Sequence, residues 1–458
     1  MTSSRDNLTP VDYDPFAEGE LALTFPSTVE QRSMWASVEI GETMASLAYN
    51  ESVRVRLRGH LDENALRHAF DVLVSRHDAL RSTFSADGQV MCVATSGAFP
   101  LEFLDARRAP DPAARLAELV RGEGETPFDL VQGPLARGKV LRTADDEHWL
   151  LVSAHHMVCD GWSMAVILSE VGSIYSARVR GTQPELEKPG SFAEYALAEA
   201  AFFEGPDAAE VEAFWLNQFK DGVPLLDFPT DKTRPAMRSF AAERVDHTVD
   251  PALVKALRNA ARKNGVSFVA LLTAAWQVFV HRLTGHRDIV VALPAAGQAF
   301  VGEHYLIGHC VSTLPIRTAV DPDKPFLDLA KDLKGMLVDA FEKQQVAYGA
   351  LVRRLSLSRD ASRVPLAPLM FNVDMGMDDF AFEGLTAEYF SNPRVAENFE
   401  LNLNASDVKH GFILECTFNT ELFERDTMVL RLREFEALLG GIARDPLERI
   451  GDLPIMPD

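Results

Sequence analysis

Apolar residues recur along this chain in two periods, and the alternation between them predicts its class. Between residues 62 and 77, Ala65, Leu66, Ala69, Phe70, Leu73 and Val74 repeat at i, i+3 and i+4, which predicts a helix with one buried stripe. Asp62 is placed to cap it. Residues 149–154 form a short apolar run with polar residues after it, the pattern of a buried strand. The helical period returns after Gly161, with Ala165, Leu168, Val171 and Ile174 placed for burial. Further helices are predicted over 251–264 and 267–283, separated by Gly265 and closed by Gly285. Residues 288–293 and 412–418 read as strands, and 326–345 and 426–442 as helices. Strand and helix patterns interleave throughout, which favours a mixed α/β fold.

Turn-forming residues divide the pattern. Residues 181–190, with Pro184 and Pro189, make the best internal linker, and 220–242, with Pro224, Pro229 and Pro235, form a second irregular stretch. The first 20 residues hold little apolar surface and read as a flexible lead-in. The simplest partition is a lead-in over 1–20, one lobe over 21–185 and another over 186–458. A length of 458 residues agrees, because single cores stop growing near roughly 250–300 residues.

Composition narrows the partners. The chain carries 45 Lys and Arg against 67 Asp and Glu, a net charge of −22, which repels phosphate backbones and sets nucleic acid aside. Cys92, Cys159, Cys310 and Cys416 lie far apart with no C-x-x-C spacing, so reduced thiols are expected rather than a disulfide framework or a metal site. The N-terminus lacks the apolar core of a signal peptide, and the longest apolar stretch, 266–280, is too short to cross a bilayer. A cytoplasmic protein without a membrane partner is the expectation.

One segment carries chemistry: His155-His156-Met157-Val158-Cys159-Asp160-Gly161-Trp162-Ser163, directly after the predicted strand 149–154. Adjacent residues at a strand end project to opposite sides, so one histidine at most faces a given cleft. Imidazole suits proton transfer because its pKa lies near the operating pH. Asp160 can fix the turn or pair with a distant arginine, and Gly161 permits unusual backbone geometry or close approach of a ligand. No third ligand nearby completes a metal site.

The spacing HHxxxDG resembles that of the condensation domains of non-ribosomal peptide synthetases, and other blocks follow in order. Thr28 to Trp35 resembles the family's first motif, keeping Gln31 and Trp35, and Arg76-His77-Asp78-Ala79-Leu80-Arg81-Ser82-Thr83-Phe84 resembles R-H-E-x-L-R-x-x-F. Pro127-Phe128-Asp129-Leu130 with Gly133-Pro134-Leu135 and Arg137 is similar to another signature. So are Phe228-Pro229-Thr230-Asp231 with Arg234-Pro235, Ile307-Gly308 through Arg317, and Arg359 through Leu366 with Phe371-Asn372. Ser312 stands where the family usually has Asn, and Gln344 where it usually has His.

The resemblance implies two chloramphenicol acetyltransferase-like lobes in a V-shaped pseudo-dimer, with a tunnel between them. A carrier protein brings a donor acyl group on its phosphopantetheine arm to one side, and an amine or alcohol acceptor enters from the other. No bound cofactor and no metal are implied. By the same resemblance His156 faces the reaction as general base or positioning residue, His155 supports the loop, and Asp160 holds an arginine, for which Arg317 is the candidate. The Gly161 amide is placed to stabilise an oxyanion, and Arg81 to orient the loop. Asn372, Trp162 and Ser312 are the candidate substrate-side residues, with Trp162 favoured as packing and Cys159 as a packed bystander. Tyr49 and Asn50 resemble a further family pattern.

No carrier or adenylation motif is found, so the expectation is a free-standing enzyme served by an acyl- or peptidyl-carrier protein in trans. It would form an amide or an ester in natural-product biosynthesis; free-standing members of the family include enzymes of enediyne antibiotic pathways. The rivals are an epimerisation-type enzyme, a non-catalytic recruitment module and a coenzyme-A acyltransferase.

Overall fold

The computed structural model describes residues 21–357 and 360–457. The lead-in expected over 1–20 and Arg359 of the late motif lie outside the described residues. In chain order the elements are β1 (Leu21–Pro26), α1 (Val29–Leu47), β2 (Asn50–Arg58), α2 (Glu63–Arg76), β3 (Ser82–Phe84), β4 (Val90–Ala94), β5 (Leu101–Asp105), α3 (Pro112–Glu125), β6 (Ala136–Ala144), β7 (Glu147–His155), α4 (Gly161–Arg180), α5 (Phe192–Glu204) and α6 (Pro206–Gln218). They continue with β8 (Ala242–Val249), α7 (Pro251–Lys263), α8 (Phe268–Thr284), β9 (Asp288–Ala296), α9 (Gly297–Val301), β10 (Val311–Ala319), α10 (Phe326–Glu342), α11 (Tyr348–Arg354), β11 (Leu369–Met375), β12 (Thr386–Ser391), β13 (Leu401–Val408), β14 (Gly411–Asn419) and α12 (Arg425–Arg444).

These elements gather into two compact units. The first holds the described chain through Asp207 together with Ala296–Val311 and Gly376–Val395, and the second holds Ala208–Ala295, Ser312–Met375 and the chain from Ala396 onward. The expected single boundary near residue 185 is therefore replaced by one near 207, and two later segments rejoin the first unit. The linker 181–190 does leave the regular elements, but chain composition marks a loop and not which unit owns the next strand. One of the returning segments carries β12, which pairs antiparallel with β2 from Thr386 opposite Arg58 to Ser391 opposite Val53.

In the first unit, the five-stranded sheet runs β12-β2-β7-β6-β5, with a small sheet β1-β4-β3 beside it in the same unit. β7 is a central strand, paired with β2 and β6, and its residues Leu150, Leu151, Val152, Ser153 and Ala154 are all buried, so both of its faces are covered and the sequence there is apolar apart from Ser153. The stripe Ala65, Leu66, Ala69, Phe70, Leu73 and Val74 is the buried face of α2, and the Asp62 carboxylate accepts from the Ala65 amide as the N-cap. Glu170 of α4 accepts from Arg76 Nε at 2.9 Å and lies 3.0 Å from His77 Nε2, so the Arg76-His77 dipeptide fixes α4 against α2.

In the second unit a six-stranded sheet runs β10-β9-β11-β13-β14-β8. β11 runs parallel to β13 and β9, and β13, β14 and β8 continue antiparallel. Most of the apolar stretch 266–280 lies in α8, the core helix of this unit, with Ser267 as its N-cap: Trp276 stacks on Phe371 at 6.1 Å and meets Phe435 edge-on at 5.5 Å. Among the described residues no single helix is long and apolar enough to cross a membrane.

Candidate active site

The HHxxxDG segment bridges the end of β7 and the start of α4 in the first unit, and its two histidines part ways as strand geometry requires. His155 is fully buried, between Tyr49 at 6.0 Å and Phe128 at 6.2 Å. Its Nδ1 accepts from the Met157 amide, so the neutral ring carries its proton on Nε2. Burial, with the neighbouring His156 adding, pushes its pKa down to about 3. His155 is thus a neutral ring that supports the loop.

His156 is half-buried and anchored by its backbone, whose amide donates to the Tyr49 carbonyl at 2.7 Å. Its Nδ1 lies 2.8 Å from the Cys159 carbonyl oxygen. A carbonyl only accepts, so Nδ1 holds a proton and Nε2 carries the lone pair of the neutral ring. The loop thereby selects the tautomer a proton acceptor needs. Cys159 itself is buried, and burial, with Asp160 and Glu51 adding, raises its thiol well above the usual range, so it is an inert packing residue here.

Two residues beside His156 have no counterpart in the motif. His309, from the segment between α9 and β10, sets its Nδ1 3.3 Å from His156 Nδ1, with the rings edge-to-face at 5.1 Å. Burial first, then repulsion from His156 and His155, holds His309 well below the usual histidine pKa. Glu51 of β2 places Oε1 3.5 Å from His156 Nε2. Burial alone would raise the Glu51 carboxyl, but Arg394 and His156 outweigh it and hold the group below the ordinary carboxylate range. Arg394, in the segment after β12, donates to the same Oε1.

Asp160 is fully buried and caps α4. Its Oδ1 accepts from the Ser163 amide at 2.8 Å and the Ser163 hydroxyl at 2.7 Å. Oδ2 accepts from the Cys310 amide at 3.0 Å and Gln298 Nε2 at 2.9 Å, and Gln298 Nε2 also reaches Oδ1 at 3.1 Å. Neutral donors thus satisfy the buried charge, and they pull α9 and Cys310 onto the start of α4. The expected arginine partner is corrected: in the second unit Arg317 grips Asp288 with Nε at 2.9 Å and Nη2 at 2.7 Å, and donates Nη1 to the Gln218 carbonyl at 2.6 Å. A bidentate carboxylate within its own sheet region occupies that guanidinium.

The remaining candidates separate by role. Gly161 opens α4 with no left-handed backbone, and a Cβ added there would meet nothing within 4 Å, so neither the fold nor a protein neighbour demands glycine. Arg81 donates to the carbonyls of Ala94, Val74 and Ser75 and to Asp78, stapling the end of α2 to β4 rather than orienting the HHxxxDG loop. Trp162 donates Nε1 to the His304 carbonyl and stacks on the His304 ring, as a packing residue. In the second unit Asn372 on β11 donates to Asp374 at 2.9 Å, and Ser312 lies half-buried on β10.

Ser163 reinforces the loop by accepting the Gly308 amide at 3.0 Å, while its one hydroxyl proton is shared between Asp160 Oδ1 and the Gly308 carbonyl at 2.9 Å. A Cβ on Gly308 would fall 2.0 Å from Cδ2 of the buried Phe192. Gly308→Ala is therefore expected to cost about 1–3 kcal/mol of stability through overpacking. A urea midpoint equal to that of the unaltered chain would contradict this.

The family model described as Condensation domain matches residues 23–458. The chain is 30% identical over 456 residues to one of the plipastatin synthase proteins of Bacillus subtilis (strain 168), covering 98% of this chain and 17% of that protein. It is also 30% identical over 419 residues to bacitracin synthase 3 of Bacillus licheniformis, covering 90% of this chain and 6% of that protein. The chain thus spans less than a fifth of the length of either relative. Among solved structures, the starter condensation domain of rhizomide synthetase in complex with C8-CoA aligns at TM-score 0.84 and 22% identity, over 94% of this chain and 98% of that one. The first condensation domain of the calcium-dependent antibiotic synthetase, in complex with a substrate analogue, aligns at TM-score 0.83 and 19% identity, over 95% of this chain and 99% of that one.

Proposed function

The chain belongs to the condensation-domain family, and on that footing we propose that it transfers an acyl group from a carrier protein's phosphopantetheine thioester to an amine or hydroxyl acceptor, with His156 taking the acceptor's proton. One observation carries the reading: the Cys159 carbonyl claims Nδ1 of His156 and leaves Nε2 as the basic nitrogen of a half-buried ring. The intact HHxxxDG motif is the family's acyl-transfer signature.

Chemistry assigns the steps. The acceptor nitrogen or oxygen attacks the thioester carbonyl carbon, and its proton passes to Nε2 of His156. The carbonyl oxygen becomes an oxyanion. The amide of Gly161 at the start of the 20-residue helix α4 is suited to it, because that amide has no partner within the helix and the helix N-terminus favours negative charge. A preorganised donor of this kind is worth about 3 kcal/mol. The C–S bond then breaks and the leaving thiolate recovers the proton from Nε2. No serine or cysteine nucleophile takes part.

The test is product mass after mixing acyl-loaded carrier proteins with a panel of amines and alcohols. An acyl–acceptor conjugate of the expected mass is the predicted result, and its bond, amide or ester, identifies the acceptor class. Three outcomes would overturn the reading: stereoinversion of the loaded residue with no acceptor present, carrier binding with no product across the panel, or equal turnover with free acyl-coenzyme A. They would favour, in turn, an epimerisation-type enzyme, a recruitment module and a coenzyme-A acyltransferase.

A further inference from the structure

The HHxxxDG motif accounts for one side of the His156 ring; the structure places two further titratable groups around it. Glu51 faces Nε2 at 3.5 Å, and the Arg394 guanidinium holds the same carboxylate oxygen. On the other side Nδ1 of His156 is shared between the Cys159 carbonyl at 2.8 Å and His309 Nδ1 at 3.3 Å. Both side chains keep part of their surface open, His156 at 18% and Glu51 at 21% of full accessibility, so the pair can be approached from outside. Glu51 and Arg394 come from distant parts of the sequence, yet both lie in the first unit, β2 bringing one and the segment after β12 the other.

We propose that Glu51, seated by Arg394 opposite Nε2, is a positioning residue for the transfer reaction: it stabilises the proton that Nε2 takes from the acceptor and restrains the ring from the side opposite His309. This rests on the reading of His156 as the base. When the acceptor's N–H or O–H bond breaks and its electron pair forms the new bond to the acyl carbon, the proton on Nε2 comes to face a carboxylate. The imidazolium so formed is stabilised by the nearby negative charge. When the C–S bond breaks, the same proton leaves for the thiolate sulfur, so the protons balance and Glu51 remains ionised throughout.

The charged and titratable groups set against the ring among the described residues enter this balance. His155 precedes it in the chain, Glu51 comes from β2, His309 from the segment before β10, and Arg394 stands behind Glu51. His155 and His309 are buried and held neutral, and Arg394 opposes Glu51 from the far side of its carboxylate. Glu51 is the one carboxylate in contact with Nε2 among the described residues. Without it, Arg394 is the charged group left behind Nε2, and it disfavours a second positive charge on the ring.

The test uses the whole chain labelled with ¹⁵N-histidine, with His156 assigned by the signals lost in His156→Ala. Long-range ¹H–¹⁵N spectra report the tautomer and the titration midpoint of each ring. The neutral His156 ring is expected to show the proton on Nδ1. Glu51→Gln, which keeps shape and loses charge, is expected to lower the His156 midpoint by about 1 pH unit or more, and Glu51→Asp by less. With any acceptor found active in the panel, Glu51→Gln should lower kcat about 10-fold with KM little changed, and Glu51→Asp should recover part of the loss. A His156 midpoint unmoved in both variants overturns the proposal whatever the turnover. A midpoint that moves while His156→Ala turns over normally overturns instead the reading of His156 as base, and with it the catalytic role given to Glu51. Should Glu51→Gln fail to fold, the Glu51→Asp midpoint alone decides.

Discussion

Alanine in place of His156 is expected to lower product formation by about 10²–10⁴-fold, the contribution of a positioned general base, while the unfolding midpoint and carrier binding stay close to those of the unaltered chain. The size depends on the acceptor. A hydroxyl is scarcely ionised at neutral pH and must lose its proton during attack, so the upper end applies to alcohols. An amine with a pKa near about 8 is partly neutral already, and the lower end applies. Little stability is at stake because the ring is half-buried. The backbone bond from His156 N–H to Tyr49 survives truncation, and the packing of the turn falls to the buried His155, Met157 and Val158. Losing the ring removes one bond to the Cys159 carbonyl, one edge-to-face contact with His309 and the approach of Nε2 to Glu51, whose carboxylate keeps Arg394 as its partner. The measurement is single-turnover product formation by mass, with thermal unfolding of the same sample. Turnover within a few-fold of the unaltered chain would move the chemistry elsewhere; a collapsed midpoint would show that the ring is structural.

Much of this arrangement is legible in the sequence alone, for reasons that differ by element. The stripe on α2 and the buried run of β7 can be read because local periodicity reports which face is covered, and both are covered in the fold. HHxxxDG marks the candidate loop by resemblance, and strand alternation requires its two histidines to point to opposite sides. Glu51 is not legible. It lies about a hundred residues earlier, and only the register that sets Asn50 opposite His155 and Glu51 opposite Ala154 brings β2 alongside the loop. His309 is equally hidden, although it stands inside one of the family-like blocks: a histidine in a loop carries no mark of the ring it will face 153 positions away. The division of the chain fails for a related reason. Proline and glycine reveal where the backbone turns, but β12 returns to β2 through hydrogen bonds that no local composition encodes. The arginine assigned to Asp160 rests on the resemblance alone, and in this chain Gln298 donates there instead.

That substitution of partner makes Asp160 the residue on which the loop depends. Asp160→Ala is expected to destabilise the chain by at least about 3 kcal/mol, and the sum can be followed bond by bond. Removing the carboxylate takes away the N-cap of α4, worth about 1 kcal/mol. It also leaves the Cys310 amide and the Gln298 amide group without their acceptor in a buried setting, at about 1–3 kcal/mol for each buried donor stranded. Ser163 keeps its exchange with Gly308, which limits the loss at its hydroxyl. Asp160→Asn should fall between the two. Its carbonyl oxygen can still accept from Ser163, and Gln298 can turn its amide so that Oε1, which has no partner in the native arrangement, accepts from the new amide. The Cys310 amide then faces a donor, so part of the penalty remains. Urea unfolding should therefore rank native above Asp160→Asn above Asp160→Ala. Activity should fall in the same order, even for protein that stays folded. The segment that Asp160 holds through Gln298 and Cys310 also carries His309, so releasing it withdraws one side of the His156 ring. In folded Asp160→Asn the Cys159 carbonyl still holds the proton on Nδ1, but the ring should lose its His309 contact, so the His156 ring signals should shift or broaden without a change of tautomer. Unshifted ring signals, with activity lost all the same, would mean that Asp160 serves the reaction by some route other than the ring.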